Sequence, residues 1–276
     1  MREKIFKTSA SAVIGIFCAV TLLLFAAIFL GSVKTNEELL TSVWSLPKGL
    51  CLDNFKKILI EDHFGTYILN SLIVLICSLT LTLLFATTVS YGIEKFQFRG
   101  RNFLKIYFII GIMFPIQLGI VNLYQLVKTL HLTNSLWGVI LVYASSLSMA
   151  VLVLTGYLKS IPDSIMEAAR IDGAGEFTIF SRIVLPLLKP ALGALIPMLS
   201  VNYWNDFFVP LVFLTEDAKK TLPIAIMRYS LGEHTDYSKM SILFSVITIS
   251  ILPIMVIYLI FSKHIIGGIV SGAEKG

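Results

Sequence analysis

The sequence predicts an all-α, polytopic membrane protein with six transmembrane helices, and two observations lead to this fold class. Hydrophobic residues make up 56% of the 276 residues and charged residues only 14%, whereas soluble domains are about one quarter charged. Six apolar stretches also approach the roughly 20 residues that a helix needs to cross a bilayer. A polytopic protein of this length forms one bundle, so we expect a single domain over residues 1–276.

The six predicted spans are separated by polar segments of unequal length. They cover approximately residues 12–30, 67–93, 103–126, 136–158, 191–214 and 242–261. The first span follows a basic lead, as a signal peptide does. Its apolar run of about 19 residues is longer than a signal core, and no small-x-small cleavage site follows it, so we expect a retained span.

The distribution of Lys and Arg predicts the orientation. Six spans put both termini on one side, and placing them in the cytoplasm puts 13 of the 22 Lys and Arg residues inside. The N-terminal tail and the short loop 94–102 show the clearest positive-inside bias. Both termini are therefore expected to be cytoplasmic. The net charge of +5 follows from this topology, and because the basic residues are not clustered with aromatics we expect no nucleic acid partner.

No motif for catalysis, metal binding or nucleotide binding is evident. Cys18, Cys51 and Cys77 lack metal-ligand spacing and are interpreted as small buried apolar residues. His131 and His234 fall in outer loops without acidic partners. The P-loop pattern is missing, so we expect no ATP hydrolysis by this chain. We therefore predict no catalytic residue, no metal and no cofactor bound by this chain.

The cytoplasmic loop 159–190 has a pattern of its own. Its sequence predicts two short helices, Ser164–Ile171 and about 176–185, joined by a glycine turn at Asp172-Gly173. Pro162 favours a helix start, and Gly at a helix end accepts the left-handed conformation. Pro186 and Pro190 then return the chain to the membrane. Ser160 and Asp163 have capping-box spacing, with Asp in place of Glu or Gln.

The first of these helices is too short to span a bilayer. It must lie on the cytoplasmic face or project from it. Ala168 and Ala169 let another surface approach closely, and Glu167 and Arg170 share one helical face because they lie three residues apart. These properties suit a helix that enters a groove of a partner. An amphipathic helix at the membrane surface without a partner has the same pattern.

Several motifs resemble those of bacterial ABC importer permeases. Within the loop, the residues similar to the EAA motif are Glu167-Ala168-Ala169, Asp172-Gly173-Ala174 and Ile183-Val184-Leu185-Pro186. Elsewhere, elements similar to those of the carbohydrate branch, the maltose-type family, are Asn70-Ser71-Leu72, Met113-Phe114-Pro115, Trp204-Asn205-Asp206-Phe207 and the glycine-rich end 267–276. The resemblance extends over nearly the whole chain. The tail departs from it at Ser271 and Glu274, where the family often has Thr and Val.

The resemblance implies a type I ABC importer transmembrane domain in a bacterial cell membrane. Such a permease subunit forms the translocation pathway for a sugar or oligosaccharide with a second homologous permease, in contact with membrane lipid. Two separate ATPase subunits bind and hydrolyse ATP with Mg²⁺, and an extracytoplasmic binding protein delivers the solute.

The resemblance also implies roles for particular residues. The first short helix of the loop, Ser164–Ile171, would be the coupling helix of such a permease. It and the turn after it would dock in a cleft of the ATPase through Glu167, Ala168, Ala169, Arg170, Asp172 and Gly173. Glu167 would meet a basic or polar group there. The tail residues Gly268, Gly272 and Lys275 would reach the interface between the two ATPases.

Polar residues in or near the spans are candidates for the pathway or the substrate site. They are Asn70, Asn202, Trp204, Asn205 and Asp206. A charge inside the membrane is costly unless it is paired or wet, so Asp206 either faces the pathway or a subunit interface, or lies near the headgroups or caps a kinked segment. The amides and aromatics suit a sugar, and equally suit helix–helix contacts. Three prolines, Pro115, Pro197 and Pro253, are expected to interrupt spans as hinges or static kinks.

Three alternatives remain at this point. A permease of the same class would import a polyol or glycerol phosphate. An integral membrane enzyme would need clusters of His, Asp or Glu within the spans, which the sequence lacks. A secondary carrier usually shows inverted repeats, and none is evident.

Overall fold

The computed structural model describes residues 2–61, 64–231 and 240–273, and the side chains of residues 8–60, 64–227 and 240–262. Every regular element in these ranges is helical, which confirms the all-α fold class. The chain divides into two compact units, one of Met1–Gly65 with Ala225–Pro253 and one of Thr66–Ile224 with Ile254–Gly276. The single domain over residues 1–276 stays a prediction.

The helices follow one another in the following order. They are α1 (Arg2–Ser32), α2 (Asn36–Thr41), α3 (Asp53–Lys56), α4 (Phe64–Lys95), α5 (Arg101–Met113), α6 (Ile120–Thr129), α7 (Leu136–Ser145), α8 (Ser148–Lys159), α9 (Asp163–Ile171), α10 (Glu176–Ile179), α11 (Leu185–Leu187), α12 (Lys189–Asn205), α13 (Phe208–Phe213), α14 (Leu222–Leu231) and α15 (Met240–Ala273). A π-helical turn follows α3, and another joins α10 to α11 over Phe180–Val184.

Six spans are obtained when bent helix pairs are counted as one span each. Three helices are long and apolar enough to cross a membrane: Thr8–Ser32 in α1, the whole of α4, and Met240–Ser262 in α15. Three pairs pass the same criteria together but are bent, by 95° between α5 and Ile116–Thr129, by 42° between α7 and α8, and by 70° between Glu176–Leu187 and α12. The count of up to six agrees with the sequence prediction, but the third pair runs from Glu176 to Asn205, whereas the sequence predicts a span at 191–214 and places 176–190 in the loop. Residues 176–187 are too few to cross a bilayer alone, so they stay with the loop here.

Only one of the three prolines in the spans breaks a helix. Pro115 lies at the 95° bend, between α5 and a 3₁₀ turn at Ile116–Gly119. Pro197 and Pro253 lie inside α12 and α15, which continue past them. These two prolines therefore do not end a helix, and a kink or hinge at either one stays a prediction. Proline removes one backbone hydrogen bond. A transmembrane helix tolerates this loss when neighbouring groups bond to the freed carbonyl.

In the first unit, a buried asparagine joins the end of α1 to the start of α15. The Asn54 amide donates to the carbonyl oxygens of Ser32 (3.2 Å) and Lys34 (2.9 Å), and its oxygen accepts from the Ser241 hydroxyl at 3.2 Å. Gly31 lies against the ring of Phe244, so closely that a Cβ would overlap it. Close approach and buried hydrogen bonds therefore fix this end of the unit.

A fully buried lysine folds the segment that follows α2. The Lys34 ammonium donates to the carbonyl oxygens of Ser42 (3.2 Å) and Val43 (2.9 Å) and to the Ser45 hydroxyl (3.3 Å). These contacts use the three donors of an ammonium group. Burying a charge is costly unless its hydrogen bonds are made, so Lys34 holds this segment in one conformation.

Replacing Lys34 with Met is expected to release the segment. Hydrogen bonds to charged groups contribute about 1.5–3 kcal/mol, so local opening should increase at least about tenfold. Chymotrypsin cleavage of the detergent-solubilised protein after the exposed Trp44 should accelerate by the same factor. Lys48→Met, which changes an exposed lysine of the same segment, is the control. Equal cleavage rates for the two variants would show that Lys34 does not restrain the segment.

In the second unit, α4 packs with α5, α8 and α12 around a continuous apolar core. At one end the core contains Leu154, Leu158, Val184 and Leu188, and residues of α9 and α10 join it there. A second cluster, with Val139, Ile140 and Phe213 among its buried members, lies around α7 and α13. The first cluster positions the loop 159–190, and the second positions the segment after α12.

Candidate functional site

Helix α9 ends at a glycine turn, as the sequence predicts. Gly173 has φ 83°, a left-handed conformation that costs glycine nothing. Its N–H donates to the Arg170 carbonyl (3.0 Å), and the Ala174 N–H donates to the Ala169 carbonyl (2.9 Å). These two bonds form the Schellman motif, which satisfies the last carbonyls of a helix. The turn therefore fixes where the chain goes after α9.

The predicted capping box at the start of α9 does not form. Ser160 ends α8 and its hydroxyl donates back to the Tyr157 carbonyl at 2.7 Å. The N-cap residue is Pro162, without a side-chain cap. The Asp163 carboxylate instead accepts from the Lys95 ammonium at 2.8 Å. An ammonium within reach forms a charge-assisted bond, which is stronger than a bond to a neutral amide.

Helix α9 has one buried face and one exposed face. Met166 and Ala169 lie in the core of the second unit. Glu167 and Ala168 are exposed, and Ile171 is 87% exposed. Of the two alanines that the sequence singled out, only Ala168 can therefore contact a partner, while Ala169 packs inward.

An exposed aromatic side chain follows the turn. Phe177 in α10 is 81% exposed, although burying such a side chain is favourable by about 1.5–3 kcal/mol. It lies six residues after Ile171, on the same loop. Together with Glu167, these residues give the loop an exposed surface with a charge and two large apolar side chains.

Arg170 forms an ion pair within the loop. Its Nε donates to Glu176 Oε1 at 2.8 Å, and Glu176 Oε2 accepts from the Tyr91 hydroxyl at 2.9 Å. The hydrogen bond to Glu176 raises the pKa of Arg170. The ion pair joins the last turn of α9 to the first residue of α10, so it supports the same geometry as the glycine turn.

The Lys95–Asp163 ion pair holds at neutral pH. The hydrogen bond from Lys95 and its charge lower the pKa of the Asp163 carboxyl. A carboxyl with a lowered folded-state pKa adds stability above its unfolded value of about 3.9, and that contribution is lost as the pH falls through the folded value. The Asp163 carboxyl is thus ionised throughout the physiological range.

The side chains of the predicted tail residues lie outside the described part of the structure. Gly268 and Gly272 belong to α15 beyond residue 262, where the structure describes the backbone alone. Lys275 and His234 lie outside the described residues.

Asp206 lies between α12 and α13 and accepts two hydrogen bonds. Its Oδ1 accepts from the Phe208 N–H at 2.8 Å, and its Oδ2 accepts from the Tyr143 hydroxyl at 2.8 Å. Tyr143 stacks on Tyr203 with ring centroids 4.8 Å apart, and the Tyr203 hydroxyl lies 3.0 Å from Thr82 Oγ1. The carboxylate therefore caps α13 and belongs to a network that joins α4, α7 and α12.

The other pathway candidates do not converge on one surface. Trp204 and Asn70 are buried, and the Asn70 amide donates to the carbonyls of Ala218 and Lys220. Asn202 and Asn205 are exposed on α12. Among the described candidates, these two amides are the ones that present polar groups outside the chain.

Replacing Tyr143 with Phe is expected to lower the stability of the second unit. The change removes a hydrogen bond to a carboxylate, which contributes about 1.5–3 kcal/mol. Thermal unfolding in detergent should show a lower Tm for this variant. Tyr124→Phe is the matched control, because its ring also packs in the cluster but its hydroxyl bonds to no residue that the structure describes. An unchanged Tm for Tyr143→Phe would mean that Asp206 does not depend on Tyr143.

Four residues that shape these sites are not evident as site residues from the sequence: Tyr91, Lys95, Glu176 and Tyr143. In the sequence, Lys95 only contributes to the positive charge of the loop 94–102. A buried tyrosine hydroxyl usually needs a partner, and an intramembrane acid does too. That reasoning could have suggested pairing Tyr143 with Asp206.

These features define a class: a polytopic α-helical membrane protein that presents a short, capped helix and exposed apolar side chains on a loop between two spans. The chain belongs to the family of binding-protein-dependent transport system inner membrane components, whose model matches residues 79–269.

Sequence matches to several permease proteins extend over most of the chain. The arabinooligosaccharides transport system permease protein AraQ of Bacillus subtilis is 35% identical and the match covers 94% of both chains. The multiple sugar-binding transport system permease protein MsmG of Streptococcus mutans is 33% identical over 88% of both. The diacetylchitobiose uptake system permease protein NgcG of Streptomyces coelicolor is 28% identical over 99% of this chain and 90% of its own.

A solved structure shares the fold. It is a bacterial ABC transporter involved in the import of the acidic polysaccharide alginate, with a TM-score of 0.85 and 23% identity, covering 95% of this chain and 97% of that one. The fold of an ABC importer transmembrane domain is therefore confirmed.

Proposed function

We propose that this chain is a permease subunit of an ATP-driven, binding-protein-dependent importer, and that it forms the pathway for a sugar or oligosaccharide with a second, homologous permease. Membership of the family supports the class. The names of three relatives, which refer to arabinooligosaccharides, multiple sugars and diacetylchitobiose, favour a sugar over a polyol or glycerol phosphate.

The observation that best supports the coupling role is the exposed surface of the loop 159–190. Helix α9 has a buried inner face and presents Glu167 and Ala168 outward, and Ile171 and Phe177 of the same loop are also exposed. Interfaces between proteins take most of their energy from a few large side chains, aromatic ones above all. We assign this surface to a separate ATPase subunit, which binds ATP and Mg²⁺, while this chain moves without catalysing a reaction.

The orientation and the pathway follow from the same proposal. The coupling loop and both termini lie in the cytoplasm, and an extracytoplasmic binding protein delivers the sugar on the other side. Asn202 and Asn205 on α12 face the pathway, because their amides are exposed. Asp206 and Trp204 have structural roles at the end of α12. Asp206 accepts from the first N–H of α13, and Trp204 is buried.

Reconstitution tests the function directly. The chain is co-expressed with the permease and ATPase encoded nearest to it and incorporated into proteoliposomes with the cognate binding protein. Uptake of labelled arabino-oligosaccharide and diacetylchitobiose is compared with that of glycerol 3-phosphate. Uptake of a saccharide that requires ATP supports the proposal. ATP-dependent uptake of glycerol 3-phosphate alone would replace the sugar assignment, and lack of ATPase association would contradict the coupling role.

Removing the exposed aromatic side chain is expected to weaken ATPase binding. Phe177→Ala deletes apolar surface without opening the core, because the side chain is exposed. Truncating an interface aromatic costs about 2 kcal/mol or more, so the apparent Kd for the ATPase in detergent should rise about 30-fold. Phe98→Ala, at an exposed aromatic of the other inner loop, should leave the Kd unchanged. Equal effects at both positions would place the docking surface elsewhere.

A further inference from the structure

Within the described part of the chain, helix α4 is the one unbroken candidate span that lies almost wholly in the second unit. It has 32 residues, or about 48 Å at 1.5 Å per residue. The other candidate spans of this unit are bent by 95°, 42° and 70°. A bend can absorb a displacement as a hinge does, whereas an unbroken helix moves both of its ends together.

The inner end of α4 holds α9 at both of its ends. The Lys95 ammonium, almost completely buried, donates to the Ile161 carbonyl (2.8 Å) and to Asp163 (2.8 Å), where α9 begins. One turn earlier, the Tyr91 hydroxyl donates to Glu176, which is bonded to Arg170 in the last turn of α9. Tyr91 and Lys95 share a helical face because they lie four residues apart.

Apolar packing strengthens this attachment. Met166 and Ala169 of α9 lie in the same cluster as Tyr91 and Ile93 of α4. The Tyr91 ring also contacts Phe180, with ring centroids 5.3 Å apart. Sliding α9 along α4 would break charge-assisted bonds and expose buried side chains, so the two helices move as one body.

The outer end of α4 holds the segment 217–222 in a similar way. The Asn70 amide donates to the Ala218 carbonyl (2.9 Å) and to the Lys220 carbonyl (3.0 Å). Ser71 Oγ accepts from the Leu222 N–H at 2.8 Å. Three residues of the chain after α13, Ala218, Lys220 and Leu222, are thus bonded to one turn of α4.

We propose that α4 transmits movement of the coupling helix α9 to the segment 217–222, about 38 Å away along the helix axis. Lys95 and Tyr91 are the inner positioning residues of this connection, and Asn70 and Ser71 are the outer ones. The inference rests on the proposed function, since an ATPase must move α9. Under that function the segment 217–222 lies on the side where the binding protein delivers the solute, so ATP binding inside alters the surface outside.

The hydrogen bond between Thr82 and Tyr203 connects α4 to a second part of the unit, helix α12. It lies near the middle of α4 and joins this helix to α12, where the exposed Asn202 and Asn205 are found. A displacement of α4 therefore reaches the proposed pathway as well as the outer segment.

Hydrogen–deuterium exchange of the complete transporter in nanodiscs tests the proposal. Exchange is followed in peptides that cover 163–171 and 217–222, with and without ATP and Mg²⁺. In the natural protein we expect both to respond. In the double variant Lys95→Met, Tyr91→Phe, the response of 163–171 should persist and that of 217–222 should fall at least about threefold. Lys95→Arg, which keeps a donor, should retain most of the response.

Two further variants complete the test. Ser71→Ala should also reduce the response of 217–222, and it works from the opposite end, so a folding defect of the inner variant does not decide the result. Lys105→Met is the matched control, because Lys105 pairs with Glu94 at the same end of α4 (2.7 Å) without touching the loop. It should leave both responses unchanged.

The outcomes separate this proposal from the proposed function. If 163–171 responds to ATP in the natural protein but 217–222 does not, or if 217–222 responds equally in all variants, α4 is not the connection. If no ATPase co-purifies and 163–171 does not respond in the natural protein, the coupling role itself fails.

Discussion

Replacing Gly173 with valine is expected to reduce ATP-driven uptake by the assembled transporter at least about tenfold, whereas Gly175→Val should keep uptake within about twofold of the natural protein. A Cβ at either glycine would meet open space. The two positions differ in backbone conformation, with φ 83° at Gly173 and φ −72°, ψ 159° at Gly175. A β-branched residue readily adopts the second conformation and is a rare outlier in the first.

The expected effect follows from what the turn must do to relieve this strain. A non-glycine residue held in a sparsely populated region costs about 1–3 kcal/mol, and about 2 kcal/mol corresponds to roughly a 30-fold change in population. The loop can avoid the cost by breaking the bonds from Gly173 and Ala174 to the end of α9. That change would also separate Glu176 from Arg170. The docking surface would then be misplaced relative to the ATPase.

Uptake into proteoliposomes and ATPase co-purification are measured for both variants. Loss of uptake with retained association in Gly173→Val would show that the turn transmits movement after docking. Loss of both would show that it forms the docking surface. Equal uptake by the Gly173 and Gly175 variants would contradict any need for the left-handed turn.

The spans could be predicted from hydropathy, but their bends could not. Apolar length is a local property, so the six stretches were found close to where the helices lie. The direction of a helix after a break depends on packing that no window of sequence contains. The 42° bend between α7 and α8 has no proline, while Pro197 and Pro253 lie inside continuous helices. Proline alone was therefore an unreliable guide.

The coupling loop shows the same division between local and distant causes. The glycine turn at Gly173 was predictable because helix ends follow local rules of conformation. Asp163 was assigned to a cap because its neighbours fit that pattern, yet it bonds to Lys95, 68 residues earlier. Tyr91 and Glu176 are 85 residues apart. Tertiary contacts of this kind override local preference.

Reversing the charge of Glu167 is expected to have the second large effect, on association with the ATPase. Glu167 is exposed and forms no ion pair with a residue that the structure describes. Glu and Lys have similar helix propensities, and a like-charge contact with Arg170 costs only a few tenths of a kcal/mol. Glu167→Lys should therefore leave α9 folded, so any large effect must arise in the partner.

The size of the effect reveals what Glu167 meets. If the ATPase presents a basic group there, losing the pair costs about 2–5 kcal/mol, or about 30-fold to several thousand-fold in Kd. The Kd of Glu167→Gln should then lie between the Kd of the natural protein and that of Glu167→Lys. Raising the salt from about 0.1 M to 1 M should reduce the difference in Kd between the natural protein and Glu167→Lys, because the Debye length shortens from about 10 Å to about 3 Å. The matched control is Glu37→Lys, at an exposed acid of α2 on the predicted outer side, which changes net charge equally. A Kd unaffected by Glu167→Lys would exclude an electrostatic contact at this position and leave the docking to Ile171 and Phe177, because these large side chains are exposed on the same loop.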